Sequence, residues 1–408
     1  MMTTPFVFPV ERRAIGIGRE AVVGTAVLPT VTVPVDKFGP EDKITGLVDK
    51  SWRAAMAEEY GYIQGTYSGS VDIGGPVYSD ILGHFLLNLL GDYIVTGTAA
   101  APNTTLAAAV AAAATSITVA TGTGFAAGQW IQIDTGSLAE IVQVQSVASN
   151  TITLMSATPT RFAHANNVAV TNTSGPYTHQ FSLLNSPANG AQPPTHTLTD
   201  ITGVTPGSGA RSYPAACLSE IVLTGNSAQL LTWEAKADTW LSVPAASAPT
   251  VAPSNVPAQP AWNSAVGIGG PASGVTQNRY TEEWAITITR KVSPFWTAQG
   301  VQNPYAMVRG SVAATAKLTF GPVPDESQLL ALLNNTQPQT QVVATGPNGS
   351  QLKIDAQVTA YDTSKINDSK DAFGFDVGAK FIANVTNAGG SGAYSPAKIT
   401  LINNVPSY

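Results

Sequence analysis

Two segments of this chain carry the same order of elements, and that order limits what the chain can fold into. Gln64-Gly65-Thr66-Tyr67-Ser68 opens an alternating run to Ile73, followed by Gly75-Pro76 and an apolar stretch ending Phe85-Leu86-Leu87-Asn88-Leu89-Leu90. Arg309-Gly310-Ser311-Val312-Ala313 opens a second run to Phe320, followed by Gly321-Pro322 and Gln328-Leu329-Leu330-Ala331-Leu332-Leu333. Period-two alternation reads as a strand, and the leucine spacing reads as an amphipathic helix. Gly65 and Gly310 are 245 positions apart, and Leu86 and Leu329 are 243 apart. A nearly constant separation across two element types predicts an internal duplication.

Each run is preceded by a second candidate strand, Lys50 to Glu58 in the first copy and Glu282 to Val292 in the second. The latter alternates clearly: Trp284, Ile286 and Ile288 face one way, and Glu283, Ala285, Thr287 and Thr289 the other. Ser79 or Asp80 is expected to cap the first helix, and Asp325 the second. Further strands are expected at Thr178 to Leu184, Cys217 to Thr224 and Leu230 to Ala235, then at Leu352 to Tyr361, Asp376 to Val385 and Ala397 to Ile402. Each copy is thus a β-rich unit covered by one helix.

Two stretches fall outside this plan. Residues 99–172 hold only Asp134, Glu140 and Arg161 as charges and alternate in short runs such as Trp130-Ile131-Gln132-Ile133, which predicts a small inserted all-β module. Residues 241–280 contain six prolines and one charge, Arg279, and are expected to form an extended linker. The chain then divides into a first domain of 1–98 and 173–240, the module, the linker, and a second domain of 281–408.

The residues offer little for catalysis. One cysteine, Cys217, and four histidines cannot supply a disulfide or a structural zinc site, and Cys217 is expected to be a buried small hydrophobe. His179 and His196 lie near strand ends where they could pair, and His84 and His164 stand alone. Gly16-Ile17-Gly18 and Gly122-Thr123-Gly124 lack the remainder of a dinucleotide loop, and there is no phosphate loop, nucleophile elbow or zinc-protease helix. Asp362, Asp368 and Asp371 share a loop with Lys365 and Lys370, an arrangement that reads as a solvated hairpin end rather than a calcium site. Adjacent Glu282 and Glu283 point to opposite faces of a strand and cannot serve one substrate. No cofactor and no enzymatic activity are expected. A net charge of −6 argues against a surface that grips nucleic acid. With 44% hydrophobic but only 11% charged residues, the surface is built largely from neutral polar groups, which suits a protein that assembles. Neither a signal peptide nor a membrane span is expected.

Three features resemble the tail tube (major tail) proteins of long-tailed, siphovirus-type bacteriophages. They are the paired strands followed by Gly-Pro and a Leu-rich helix; Tyr213-Pro214-Ala215-Ala216-Cys217-Leu218-Ser219-Glu220-Ile221-Val222-Leu223-Thr224-Gly225 followed by Leu230-Leu231-Thr232-Trp233-Glu234-Ala235; and the ending Gly389-Gly390-Ser391-Gly392-Ala393-Tyr394-Ser395-Pro396-Ala397-Lys398-Ile399-Thr400-Leu401, similar to those of actinobacterial-phage tail proteins. The resemblance covers both copies. The inserted module looks like small β modules that decorate virion proteins.

The resemblance implies a mainly β fold: two tandem tail-tube-like β-sandwich or barrel domains, each flanked by one short α-helix, plus the module. It implies a structural virion protein, made in the host bacterial cytoplasm, that self-assembles into stacked rings around a lumen through which DNA is ejected. Its partners would be itself, the tape measure, the tail terminator and the distal tail proteins. A duplicated unit favours a trimer with pseudo-sixfold symmetry over a hexamer. The lumen-facing residues expected are Gln64, Thr66, Ser68, Ser70 and Asp72 in copy one, with Glu283, Thr287, Thr289, Arg309, Ser311, Ala313, Thr315 and Lys317 in copy two. Residues 1–45 and 361–375 are the candidates for ring-to-ring stacking. The alternatives are a distal tail or baseplate hub ring protein, and a carbohydrate-binding adhesive β-protein that uses Trp130, Phe125 and Phe162 of the module.

Overall fold

The computed structural model describes residues 8–156, 158–368 and 372–408. The fold is mainly β, in two large antiparallel sheets. The chain opens with β1 (Ala14–Arg19), β2 (Val31–Val33) and the long hairpin β3 (Lys37–Asp49) and β4 (Gly61–Pro76), followed by helix α1 (Leu82–Leu90) and β5 (Gly91–Thr105). Strands β6 (Ser116–Thr118), β7 (Trp130–Ile133), β8 (Glu140–Ala148) and β9 (Thr151–Leu154) build the module before β10 (Ala169–Leu183) returns beside β5. Next come β11 (His196–Ile201), β12 (Ala210–Asn226), β13 (Thr232–Thr239), β14 (Val243–Pro244), β15 (Ser264–Ile268) and β16 (Gln277–Asn278). The second hairpin, β17 (Thr281–Phe295) and β18 (Ala306–Phe320), leads to α2 (Ser327–Leu333), β19 (Thr340–Thr345), β20 (Gln351–Ala356), β21 (Thr359–Asn367), β22 (Gly374–Phe381) and β23 (Lys398–Asn403). No helix among the described residues is long and apolar enough to cross a membrane.

One 12-stranded sheet contains the path β3-β4-β13-β12-β17-β18-β22-β21, called the inner sheet below, and β11, β1, β2 and β14 join it through the other end of β12. The two halves of this path repeat each other in register as well as in order. In the first hairpin Asp49 pairs with Gly61 and Lys37 with Gly74; in the second Phe295 pairs with Ala306 and Glu283 with Thr319. Each hairpin carries a β-bulge at an equivalent place, and the second has a further irregularity near its outer end, between Thr281 and Glu283. Gly65 and Thr66 stand opposite Thr45 in the first, and Gly310 and Ser311 opposite Lys291 in the second. A second bulge recurs at Ser219 of β12 and at Asp362 of β21. Since a bulge reverses which side chains face the core beyond it, matching bulges keep the core faces of both halves in step.

The alternation expected around Trp284 holds: Trp284, Ile286 and Ile288 are buried, and Glu283 is exposed. The first-copy strand expected at Lys50 to Glu58 lies instead at Lys37–Asp49, and residues 50–60 form the hairpin loop. Gly39, Pro40 and alternating charges disguise β3, because at the sheet's edge few of its side chains reach the core. Neither Ser79 nor Asp80 caps α1; its first cap position is Ile81, and Asp80 accepts a hydrogen bond from Ser254 instead. Asp325 does accept the backbone N–H of Ser327 at the start of α2, which lowers its pKa.

The stretch 241–280 is no free linker. β15 pairs with β19, Val266 and Ala261 are buried, and Gln259 exchanges backbone hydrogen bonds with Val77 and Leu231. The prolines make this segment extended, and extended backbone can still join a sheet edge. The outer sheet runs β16-β15-β19-β20-β23-β10, so the last strand of the chain lies between the two halves. One apolar core accordingly joins α1, β17, β18 and β23. The module has its own core around Leu106, Ile131, Val142, Ile152 and Val170. Strands β5 and β10 run through positions 98 and 173, so the module extends from a long ribbon. β1 and β2 are core strands, with Ile15, Ile17 and Val33 buried, so these nine residues of the 1–45 segment do not form a stacking loop.

Two arginines of the second half close the first helix. The last carbonyls of a helix lack intrahelical donors and carry the negative end of its dipole. Arg290 donates from Nη1 to the Leu89 oxygen at 2.7 Å and from Nη2 to Ala191 at 3.2 Å. Arg309 donates from Nη1 to Asn88 at 3.1 Å and from Nη2 to Pro193. Burial and the neighbouring Arg309 lower the Arg290 guanidinium to about 10. Replacing Arg290 by alanine strips donors from buried carbonyls and is expected to cost about 2–4 kcal/mol. Lysine restores only part of that loss, because an ammonium cannot span the same carbonyls. Thermal unfolding of the two variants beside the unsubstituted protein measures both effects.

Candidate assembly face and sheet edges

Cross-strand register determines which side chains share the outward face of the inner sheet. Asp72 lies opposite Lys236, Lys236 opposite Glu220, Glu220 opposite Thr289, and Thr289 opposite Ala313. Along a second row Glu234 lies opposite Val222, Val222 opposite Thr287, Thr287 opposite Thr315, and Thr315 opposite Lys380. The structure therefore brings Ser68, Ser70, Asp72, Glu283, Thr287, Thr289, Ala313, Thr315 and Lys317 onto one polar face spanning both halves. Thr66 sits in the first bulge, with its hydroxyl 3.1 Å from that of Thr45 on this same face. Ser311 occupies the equivalent bulge position and is exposed.

Gln64 and Arg309 do not belong to that face. Both precede the bulge on their strands, so the extra residue turns them to the opposite side. Gln64 accepts a hydrogen bond from the Tyr67 hydroxyl at 3.2 Å, and Arg309 is buried at the end of α1. Uninterrupted alternation from Gln64 or Arg309 cannot reveal this. The glycine at Gly65 and Gly310 was the available sign, since glycine within a strand often marks a bulge.

The face is mixed in charge. Lys37 pairs with Glu234 at 3.2 Å, Lys43 with Glu41 at 3.1 Å, Lys236 with Glu220 at 2.8 Å, and Lys380 with Asp362 at 3.3 Å. Thr319 donates to Asp376 at 3.0 Å, and Asn226 to Glu283. These pairs are exposed and add little stability. Their consequence is a surface without a strong field of either sign. Sequence reasoning had missed β3, β13 and β22 as contributors to it.

The histidines are spread over separate environments. His179 bonds the Tyr93 hydroxyl at 2.9 Å and Asn403 at 3.1 Å, whereas His196 bonds Asn88 at 2.9 Å and lies beside His84, so the two do not form the pair that their places near strand ends allowed. Burial lowers His84 and His179 to about 4. Cys217 is buried beside Ala215 and Met307, and burial pushes its thiol up to about 11. Of the aspartate loop, Asp362 pairs with Lys380, and Lys370 and Asp371 lie outside the described residues. No group of three metal-binding side chains occurs among the described residues. In the module, Phe125 is core and Trp130 packs against the main core. No family model matches this sequence. No curated protein matches it either.

His164 links the module's charged side chains. Its Nε2 lies 2.5 Å from Glu140 and its Nδ1 3.3 Å from Asp134, and Glu140 also accepts the Arg161 N–H at 2.6 Å. Burial disfavours the imidazolium, but hydrogen bonds to Glu140 and Asp134 outweigh it and raise the pKa above 6.5. A raised histidine contributes stability that is full below its unfolded pKa, about 6.5, and is lost as pH rises through its folded value. The thermal stability difference between the unsubstituted protein and His164→Gln is expected to be largest near pH 5.5 and to shrink above neutrality. Melting curves across pH 5 to 9 measure it.

Proposed function

We propose that this protein is a structural, ring-forming virion protein of the tail-tube type. Copies associate edge to edge so that their inner sheets close into a barrel and the polar face lines its lumen. The observation that carries this reading is a path of eight strands within the larger sheet, two register-equivalent quartets joined head to tail, with β3 and β21 at its ends. An association that repeats head to tail either closes into a ring or runs on as a filament, and closure removes the exposed edges.

Three copies give a ring of six equivalent quartets. With strands about 4.8 Å apart, such a barrel is about 40 Å or more across at the backbone, an open aqueous channel. The lining then consists of Ser, Thr and balanced Lys, Asp and Glu. Each phosphate held by a cation adds affinity, so a lining without a net basic field lets nucleic acid pass with little friction. The module, with its separate core at the end of the β5–β10 ribbon, suits an appendage on the outside of the ring.

Electron microscopy with class averaging of the concentrated protein checks this reading. Rings or tubes with six inner lobes and three outer projections are expected. Six projections around six lobes would replace the trimer with a hexamer, and compact monomers at high concentration would remove the ring reading. In purified virions a tube protein is expected as a dominant band, whereas a hub protein would be scarce.

A further inference from the structure

We infer that the seam between two copies of this chain is a register-exact repeat of its internal β12–β17 seam, with β21 of one copy pairing antiparallel with β3 of the next so that Thr363 faces Lys43 and Lys365 faces Glu41. This inference rests on the ring reading and adds a residue-level partner surface to it.

The internal seam is the template. β12 pairs with β17 with Glu220 opposite Thr289 and Val222 opposite Thr287. The matched bulges make Glu220 equivalent to Thr363 and Val222 to Lys365, and make Thr289 equivalent to Lys43 and Thr287 to Glu41. Carrying the pairing across gives one register. It sets the Lys365 cation opposite the Glu41 carboxylate on the polar face, and Ile366 opposite Pro40 on the other. Among the described residues β21 pairs only with β22, and β3 only with β4, so each has one side without a strand partner. Pro40 lacks an N–H, which removes at most one bond from the ladder.

Burial supports the same occupant. α1 and α2 occupy equivalent places, on β12 and on β21. Every residue of α1 is buried, but in α2 only Gln328 is, and Leu333 is 69% exposed. What closes the end of α1 is the second half's Arg290, whose counterpart on β3 is Ile44. The seam brings Ile44 of the next copy to the end of α2, so an apolar contact stands where the internal seam has a guanidinium. Ile44, Leu333 and Ile366 (57% exposed) are left uncovered in the single chain.

The hairpin loops complete the match. Within the chain, the second hairpin's loop lies over the first hairpin's bulge: Gln302 donates to the Gly65 oxygen at 2.8 Å, Tyr67 donates its N–H to Gln302 at 2.9 Å, and Trp296 donates to Tyr67 at 3.2 Å. The repeat places the first hairpin's loop, where Trp52 and Met56 are fully exposed, over the bulge at Gly310 of the preceding copy.

Cysteine pairs test the register in the full chain. Directly opposed residues have Cα atoms about 4.5–5.5 Å apart, within reach of a disulfide. β3 and β21 lie at opposite ends of the inner sheet, so any link formed between them joins two copies. Mild oxidation of assembled Lys43→Cys/Thr363→Cys is expected to give covalent dimers and trimers on non-reducing gels. Glu41→Cys/Thr363→Cys, displaced by two residues, is expected to give at least tenfold less. Rings that cross-link at the displaced pair, or at neither, overturn the register and leave the ring reading standing. Failure of the unsubstituted protein to form rings overturns the reading and the seam with it. If the cysteine variants do not fold, hydrogen exchange on the unsubstituted protein decides. Protection of residues 39–43 and 363–367 on assembly supports the seam, and unchanged exchange there overturns it.

Discussion

The antiparallel pairing of β12 with β17 is the interaction on which the rest of this structure depends. It joins two four-stranded units whose order and bulges match, and it does so between the last strand of one and the first of the other. A head-to-tail join of this kind leaves the same two kinds of edge free at the outer ends. Long free edges invite pairing with another chain, and β3 is 13 residues long. In the proposed ring the same pairing, made once within the chain, is repeated between chains.

Three further contacts secure the internal join. Arg290 and Arg309 reach from the second half to the end of α1, where the dipole and unpaired carbonyls favour a cation. Buried Asn88 fixes α1 to β12, donating to Ala216 at 2.8 Å and accepting from Leu218 at 2.8 Å. β23 holds the halves together in the outer sheet, pairing with β20 on one side and β10 on the other. α1 is thus enclosed between sheets, and α2, which carries Ala331 at the position of Asn88, has neither the arginines nor the clamp. The proposed seam accounts for this asymmetry between two copies of one helix.

Much of this was legible in the sequence, and the failures have physical causes. The alternation of Trp284, Ile286 and Ile288 marked β17 because that strand lies mid-sheet with one face on the core. The near-constant separation of Gly65 from Gly310 and of Leu86 from Leu329 marked the duplication because both copies obey the same packing. β3 was misplaced because an edge strand has little core to imprint a pattern on its residues. Gln64 and Arg309 were assigned to the wrong face because one added residue at a bulge reverses every side chain beyond it. The Pro-rich stretch concealed β15, a five-residue strand whose only deeply apolar side chain is Val266. The single core shared by both halves could not be read at all, since it depends on strands far apart in the chain.

In the proposed ring each chain carries two of the repeating units, so that three chains complete it. Native mass measurement of isolated rings tests this most directly. A closed species of three 42.1 kDa chains is expected, with no stable ring of any other number. A ring of six chains would contradict it, because it would hold twelve quartets where the proposed ring has six.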